Sequence, residues 1–489
     1  MRRITLNLCM AAAMLAGHVA AGAQPVGLPS MGAASAIELS PALERLLGQA
    51  IMEQGYQDPT YVADIDINQY LTTLGQRLAA HAPQPLEQDI TVFAVRDPAI
   101  NAFAMPGGYI GVNSGLMTAT ESESELASVL AHEISHVMQR HIARGLEQQS
   151  RGTGVMVASL VGALLAAMAG QGDLAMGVAA FGQAAVIDRQ LGFSRGAEQE
   201  ADRVGLQMMR QAGFDPRGML AMFRRLMDAA RLNEGQGGGY AATHPLSIQR
   251  LSDIENRLDR LPGAPAAANP EYWFVRARLA LLQARDNMTR QRLEEDLRSQ
   301  VAAQHGPRKA AALYGLALLA YEAGRPGQAH DWLEQARAAQ LAPQIDMLAV
   351  RLALSQDPQE ALKLSAEALA RWPDSQGVAY ERAQVLQQMG KSRDAVTLLR
   401  ALVKKWPHVA EFQKMLAMAL ERSDDVVEAH EAMATYYELR GALPTAVEHL
   451  DQARRHSQDF YAQSRIDVRI RGLRERLDAQ RSLLEPFKR

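Results

Sequence analysis

The 489-residue chain holds one cysteine, Cys9, close to its start. No disulfide can tie the fold together, and thiol chemistry is excluded from the rest of the chain. Aromatic side chains are scarce at 5 %, so small and aliphatic residues must fill the core, a composition that favours packed helices. A net charge of −3 and the lack of any basic run leave no electrostatic footprint for nucleic acid. Long apolar spans are missing too. The two most apolar runs, Gly154 to Gly170 and Leu174 to Ile187, are about 14 to 17 residues each, roughly 21–25 Å as helices against a hydrocarbon core of about 30 Å. Their many Gly and Ala residues favour a buried helical hairpin, with peripheral membrane contact through 154–187 as the alternative.

The N-terminus reads as a targeting signal. Arg2-Arg3 precede an apolar stretch from Ile4 to Ala16, and Ala21-Gly22-Ala23 forms an A-x-A-like cleavage site. Residues 1–23 are therefore expected to be a signal peptide, and for a Gram-negative source the destination is the periplasm. Cys9 follows Leu8 rather than a small residue, which argues against a lipid-anchored cysteine, and it would leave with the signal.

One segment states a chemistry. His132-Glu133-Ile134-Ser135-His136 lies in a helical stretch whose apolar face is carried by Leu126, Val129, Leu130, Ile134 and Val137. Residues four apart stack on one helix face, so the two imidazoles converge. Such a pair suits Zn²⁺, with Glu133 as general base. Thr120 and Glu123 have the spacing of a capping box and place the helix start there.

Catalytic zinc takes three protein ligands and keeps a fourth position for water. Gln139 and Ile142 stand where the metzincin pattern requires Gly and His, so that subclass is excluded. His141 is off the ligand face and reads as a surface or hinge residue. A second helix, from Phe193 onward, carries Glu198, Glu200 and Asp202. Glu198 and Asp202 are four apart, so one could bind metal while the other orients a ligand histidine. Spacing alone does not separate Glu198 from Glu200. The run Tyr109-Ile110-Gly111-Val112, after the Pro106-Gly107-Gly108 turn, alternates like a strand. As a sheet edge it would take an extended substrate by main-chain hydrogen bonds.

These segments together resemble the gluzincin metallopeptidases of the HtpX and CAAX-prenyl-protease type. The resemblance covers about residues 40 to 260. It rests on His-Glu-x-x-His, on Arg195-x-x-Glu198-x-x-Ala201-Asp202, on the Asn101 to Met117 segment, and on Thr243-His244-Pro245. It implies one Zn²⁺ per chain held by His132, His136 and Glu198, with Asp202 behind a ligand histidine. His244, in a polar loop, could be a fourth ligand that keeps the site latent, a donor to the tetrahedral intermediate, or a cap for the next helix.

Pro262 to Pro270 marks a linker. Beyond it, Gly324-Ala329-Ala336, Ala361-Ala368-Pro373, Gly390-Ala395-Leu402-Pro407 and Gly441-Ala446-Ala453 repeat small positions, the second and third sets offset by 34 residues. That period resembles tetratricopeptide repeats, whose small side chains let paired helices pack closely. The copy near Ala429 is out of phase, and residues 271 to 308 fit poorly.

The expected architecture is mainly α: a zincin-type α+β catalytic domain with a small sheet (24–261), then a tetratricopeptide-like α-solenoid (271–489). The resemblance, with export signal and repeats, implies a periplasmic endopeptidase that degrades misfolded or stalled outer-membrane proteins. Its partners would be unfolded or misassembled outer-membrane proteins and, through the repeats, the barrel assembly machinery. A chaperone or assembly scaffold with a latent metal site is the alternative.

Overall fold

A computed structural model of the protein describes residues 40–86, 88–144, 194–232, 239–259 and 269–484. The signal segment 1–23, the apolar runs of 154–187 and most of the 262–270 linker lie outside the described residues. Among the described residues, no helix is long and apolar enough to cross a membrane.

Helices α1 (Pro41–Gly55) and α2 (Ile65–Ala79) precede a three-stranded sheet of β1 (Thr91–Val95), β2 (Ala102–Met105) and β3 (Tyr109–Asn113). The strand order is β1-β3-β2. β3 runs parallel to β1, with Val92 opposite Ile110, and antiparallel to β2, with Ala104 opposite Ile110. The tight β2–β3 turn is made by Gly107 and Gly108 at φ +85° and +81°, where a side chain would be strained. β3 is thus hydrogen-bonded on both sides. The expectation that Tyr109, Ile110, Gly111 and Val112 form a substrate-binding edge is corrected: the parallel crossover from β1 leaves β3 in the middle, with β1 and β2 at the two edges.

Helices α3 (Ser114–Ala119), α4 (Glu123–Met138), α5 (Arg195–Gln211), α6 (Arg217–Leu232), α7 (Tyr240–Thr243) and α8 (Ile248–Leu258) complete this domain. α4 starts two residues later than the Thr120 capping box implied. Ser122 is the N-cap and accepts from the Glu125 N–H at 3.2 Å, while the Glu125 carboxylate accepts from the Glu121 N–H at 2.7 Å. Thr120 is instead buried at the end of α3, where its Oγ1 accepts from the Tyr272 hydroxyl at 2.8 Å. α4, α2 and the sheet share one apolar core containing Leu71, Leu74, Val92, Ile110, Leu126 and Leu130.

From residue 271 the chain is all helix: α9 (Glu271–Gln283), α10 (Asn287–Ala303), α11 (Gly306–Glu322), α12 (Pro326–Ala339), α13 (Pro343–Gln356) and α14 (Pro358–Arg371). These are followed by α15 (Gln376–Gln388), α16 (Ser392–Lys405), α17 (Ala410–Glu421), α18 (Val426–Leu439), α19 (Leu443–His456) and α20 (Phe460–Leu484). The small positions of the repeat are all in the core: Ala329, Ala336, Ala361, Ala368, Ala395, Ala446 and Ala453 are buried. Gly324, Gly390 and Gly441 each end a helix in the left-handed region, at φ +69°, +69° and +85°.

The two places where the repeat pattern failed have structural causes. α9 serves two cores, with Tyr272, Val275 and Leu279 in the catalytic domain and Phe274, Ala277 and Leu281 in the repeats, so its apolar pattern fits neither alone. The helix pair α17–α18 is present, but its turn residue is Asp424 at φ +60°, where the equivalent position 34 residues earlier is Gly390. α18 then packs onto α19 as well, through Ala434 and Tyr437. One helix shared between two successive pairs shifts the register.

The solenoid folds back on the catalytic domain. Arg278 pairs with Asp64 at 2.5 Å, Gln344 Nε2 donates to Asp66 at 3.0 Å, and the Gln376 N–H donates to Gln69 at 2.8 Å. At the far end the Arg440 guanidinium lies 3.8 Å over the Tyr56 ring.

A left-handed conformation costs a residue with a Cβ about 1–2 kcal/mol, somewhat less for Asp. Replacing Asp424→Gly is expected to stabilise the repeat domain by about 0.5–1 kcal/mol. The check is the urea midpoint, which should rise; a fall would show that the Asp424 side chain contributes more than its backbone strain costs.

Candidate metal centre

His132, Glu133 and His136 come from α4, and Glu198 and Asp202 from α5. The two helices approach closely because Gly205 faces the Ala131–His132 backbone, where a Cβ would sit 3.2 Å from the Ala131 carbonyl carbon and the His132 nitrogen. His244 follows α7, and Arg250 is on α8.

One ligand atom from each of His132, His136, Glu198 and His244 lies within 4.8 Å of the others, and all four residues are buried. His132 Nε2 is 2.9 Å from His136 Nε2 and 3.3 Å from His244 Nδ1. Glu198 Oε1 is 3.1 Å from His244 Nδ1 and 3.5 Å from His136 Nε2. Ligand nitrogens about 2.0–2.1 Å from a tetrahedral zinc stand about 3.3 Å apart, which these spacings match.

Each ligand is held from behind. His132 Nδ1 is 2.9 Å from Asp202 Oδ1, so its hydrogen there points at the carboxylate and its Nε2 lone pair faces the centre. Arg250 clamps Asp202 with Nε on Oδ2 at 2.7 Å and Nη2 on Oδ1 at 2.8 Å. The same guanidinium reaches Glu198 Oε2 at 2.7 Å and donates to the Pro245 carbonyl at 2.9 Å, beside His244. Tyr240 stacks on the His244 ring with centroids 4.3 Å apart. The Tyr240 N–H donates to the Ile100 carbonyl at 3.0 Å, fixing this loop next to the edge strand β2.

Charge confirms the fit for a cation. Glu133, Glu198 and Asp202 are buried beside one buried guanidinium, Arg250, and draw the neighbouring His132 and His244 imidazoles toward their charged forms. Burial pushes the His132 imidazole down, but its hydrogen bonds to the Asp202 and Glu198 carboxylates outweigh that and raise it to about 10. Burial alone would raise Glu198, yet the His244 and His132 imidazoles hold it well below the carboxylate range. Burial keeps His136 neutral and well below its ordinary value. Burial raises Glu133, with partial relief from His244 and His132. A divalent cation supplies the positive charge these groups demand, and a His₃Glu donor set suits zinc and its neighbours.

The sequence-derived residues fall into three groups. His132, Glu133, His136, Glu198 and Asp202 come together, and His244 joins them. The helix-cap role for His244 does not hold, because Ser247 caps α8 by accepting from the Arg250 N–H at 3.2 Å. Glu200, not separable from Glu198 by spacing, is half exposed and stays outside the cluster, with Oε2 3.7 Å from His141 Nε2. Tyr109, Ile110, Gly111 and Val112 are not in the centre. His141 is a correction: it is buried, with Nδ1 2.8 Å from His136 Nδ1. α4 ends at Gln139, and Arg140 at φ +52° turns the chain back under the helix, held by its ion pair to Glu44 at 2.5 Å. A residue off the ligand face of a continuous helix is thus brought against a ligand ring. Tyr240 and Arg250 were missed. The available signal for Arg250 was its place four residues before Ile254, on the one buried face of α8.

Comparison with known proteins follows from this geometry. The pattern of Peptidase family M48 matches residues 67–258, and a tetratricopeptide repeat pattern matches 380–447. The chain is 31 % identical over 479 residues to the Beta-barrel assembly-enhancing protease of Yersinia pestis, covering 94 % of this chain and 96 % of that one. It is 30 % identical over 487 residues to the protein of that name from Escherichia coli (strain K12), covering 97 % of each. A Putative beta-barrel assembly-enhancing protease of Vibrio cholerae is 38 % identical over 279 residues, 57 % of this chain and 56 % of that one. A buried His₂-Glu centre on paired helices, the M48 match and near-full-length similarity to beta-barrel assembly-enhancing proteases make the chain a metalloprotease of peptidase family M48, joined to tetratricopeptide repeats.

Proposed function

We propose that this chain is a zinc metalloendopeptidase that acts in the periplasm on misfolded or stalled outer-membrane proteins, with its repeats docking substrate or the barrel assembly machinery. The observation that carries the reading is the convergence of four buried ligand atoms beside Glu133, itself 1 % exposed. The relatives' names supply the connection to barrel assembly. The domain bounds follow from the same reading: a signal at 1–23, a peptidase at 24–261 and a repeat domain at 271–489.

His132, His136 and Glu198 would hold the zinc, which when bound supplies Lewis acidity that polarises a peptide carbonyl and acidifies water. Asp202 fixes the His132 tautomer, and Arg250 fixes Asp202 and Glu198 in turn. Glu133 takes the proton of the attacking water and delivers it to the leaving amide nitrogen. A carboxylate raised by burial suits both directions of that transfer. An extended substrate would add to β2, which takes no further strand among the described residues, rather than to β3.

His244 fills the fourth corner of the ligand cluster and faces Glu133, with Nε2 3.4 Å from Oε1. In this arrangement the imidazole stands where water and substrate would go, which supports the reading of a self-inhibited enzyme. The same observation favours a second reading, an assembly scaffold whose site stays closed.

Two variants separate these readings. Glu133→Gln is expected to lower cleavage of an unfolded outer-membrane barrel protein by about 10²–10⁴-fold while still binding about one zinc per chain; undiminished cleavage would remove Glu133 from the reaction. His244→Ala is expected to raise the cleavage rate several-fold with zinc retained. An unchanged or lower rate would refute self-inhibition, and no cleavage by any variant despite bound zinc would favour the scaffold.

A further inference from the structure

Three histidines far from the catalytic centre gather at the seam of the repeat domain where the register shifts. His430 is on α18, and His449 and His456 are on α19. His430 Nδ1 lies 3.1 Å from His449 Nδ1. The His430 ring is 5.4 Å from the His449 ring and 5.8 Å from the His456 ring, centroid to centroid. His430 and His449 are half-buried and His456 is exposed at the last residue of its helix. The His449 ring is braced by stacking on Tyr437, with centroids 5.2 Å apart.

We infer that His430 and His449, with His456 as third ligand, form a second transition-metal site that cross-links α18 to α19. Two nitrogens bound to one tetrahedral zinc stand about 3.3 Å apart, so the His430–His449 spacing needs little adjustment. Imidazoles select zinc, copper and nickel over magnesium or calcium. His456, exposed on the solvent side with its ring 5.8 Å from that of His430, would supply the third nitrogen by turning toward the pair, leaving the last position to water.

The carboxylates of Glu421 and Glu448 act favourably on a cation at this seam, whereas Arg455 acts against it.

The position gives the site a consequence. The turn joining α18 to α19 carries Arg440, stacked on Tyr56 of α1's C-terminal cap, and Gly441, whose Cβ direction faces the Gln49 carbonyl 3.6 Å away. A metal pinning α18 to α19 would stiffen the segment by which the far end of the solenoid docks on the catalytic domain.

The test is equilibrium dialysis of the full mature chain against micromolar Zn²⁺, followed by metal analysis, for wild type, His430→Gln, His449→Gln and His456→Ala. Wild type is expected to hold one equivalent more than His430→Gln and His449→Gln, with peptidase activity unchanged in both. His456 is exposed, so His456→Ala cannot unfold the protein by loss of packing; it is expected to weaken the second equivalent at least about tenfold. Equal zinc content and affinity in wild type and all three variants would overturn the proposal and leave the His430–His449 contact as a hydrogen bond between neutral rings. The comparison is a difference between chains with the same catalytic centre, so its outcome is independent of what occupies that centre.

Discussion

The arrangement depends on one electrostatic demand: buried carboxylates on two packed helices need a cation between them. Glu133 and the two histidines belong to α4, Glu198 and Asp202 to α5, and no residue of either helix alone satisfies the charge. Arg250 meets part of it and fixes the geometry of the rest through its contacts to Asp202, Glu198 and the Pro245 carbonyl. Leaving such groups unpaired would cost several kcal/mol each, so the packing of α4 on α5 and the binding of a cation are mutually dependent. Helix α8 and the His244 loop are tied to the same charges. The centre is therefore a structural element of the domain as well as its chemical one.

The second constraint is the attachment of the solenoid. α9 buries one face in each domain, and the Tyr272 hydroxyl reaches Thr120 just ahead of the catalytic helix. Asn269 donates its N–H to Glu123, in the first turn of that helix, at 3.1 Å. At its other end the repeat array returns to α1 through Arg440 and Tyr56. These contacts join both ends of the repeat array to the catalytic domain, one of them at the start of α4.

Much of this was legible in the sequence because the informative residues are local. His132, Glu133 and His136 declare themselves by helical periodicity; spacing offered Glu198 with Asp202 on a second helix, and the family resemblance set Glu198 ahead of Glu200. Paired repeats were visible where Gly and Ala occupy the turn and contact positions. What was not legible required tertiary information. β3 has the alternation of an edge strand but lies mid-sheet, because strand order depends on a crossover that no local pattern encodes. His141 reaches His136 only because Arg140 leaves the helix with positive φ. Asp424 hides a repeat by standing where glycine is usual, and α9 hides another by serving two cores. Arg250 looks like a surface charge until its carboxylate partners, 48 residues away in sequence, are placed beside it.

The central claim is that this cluster is a metal centre with His244 as its fourth ligand. The most direct measurement is anomalous diffraction from crystals of the full mature chain, recorded on both sides of the zinc absorption edge. The account predicts a peak about 2.0–2.2 Å from nitrogen atoms of His132, His136 and His244 and from a carboxylate oxygen of Glu198. A structure with these four side chains in place and no anomalous scatterer among them, from protein prepared with zinc, would contradict it.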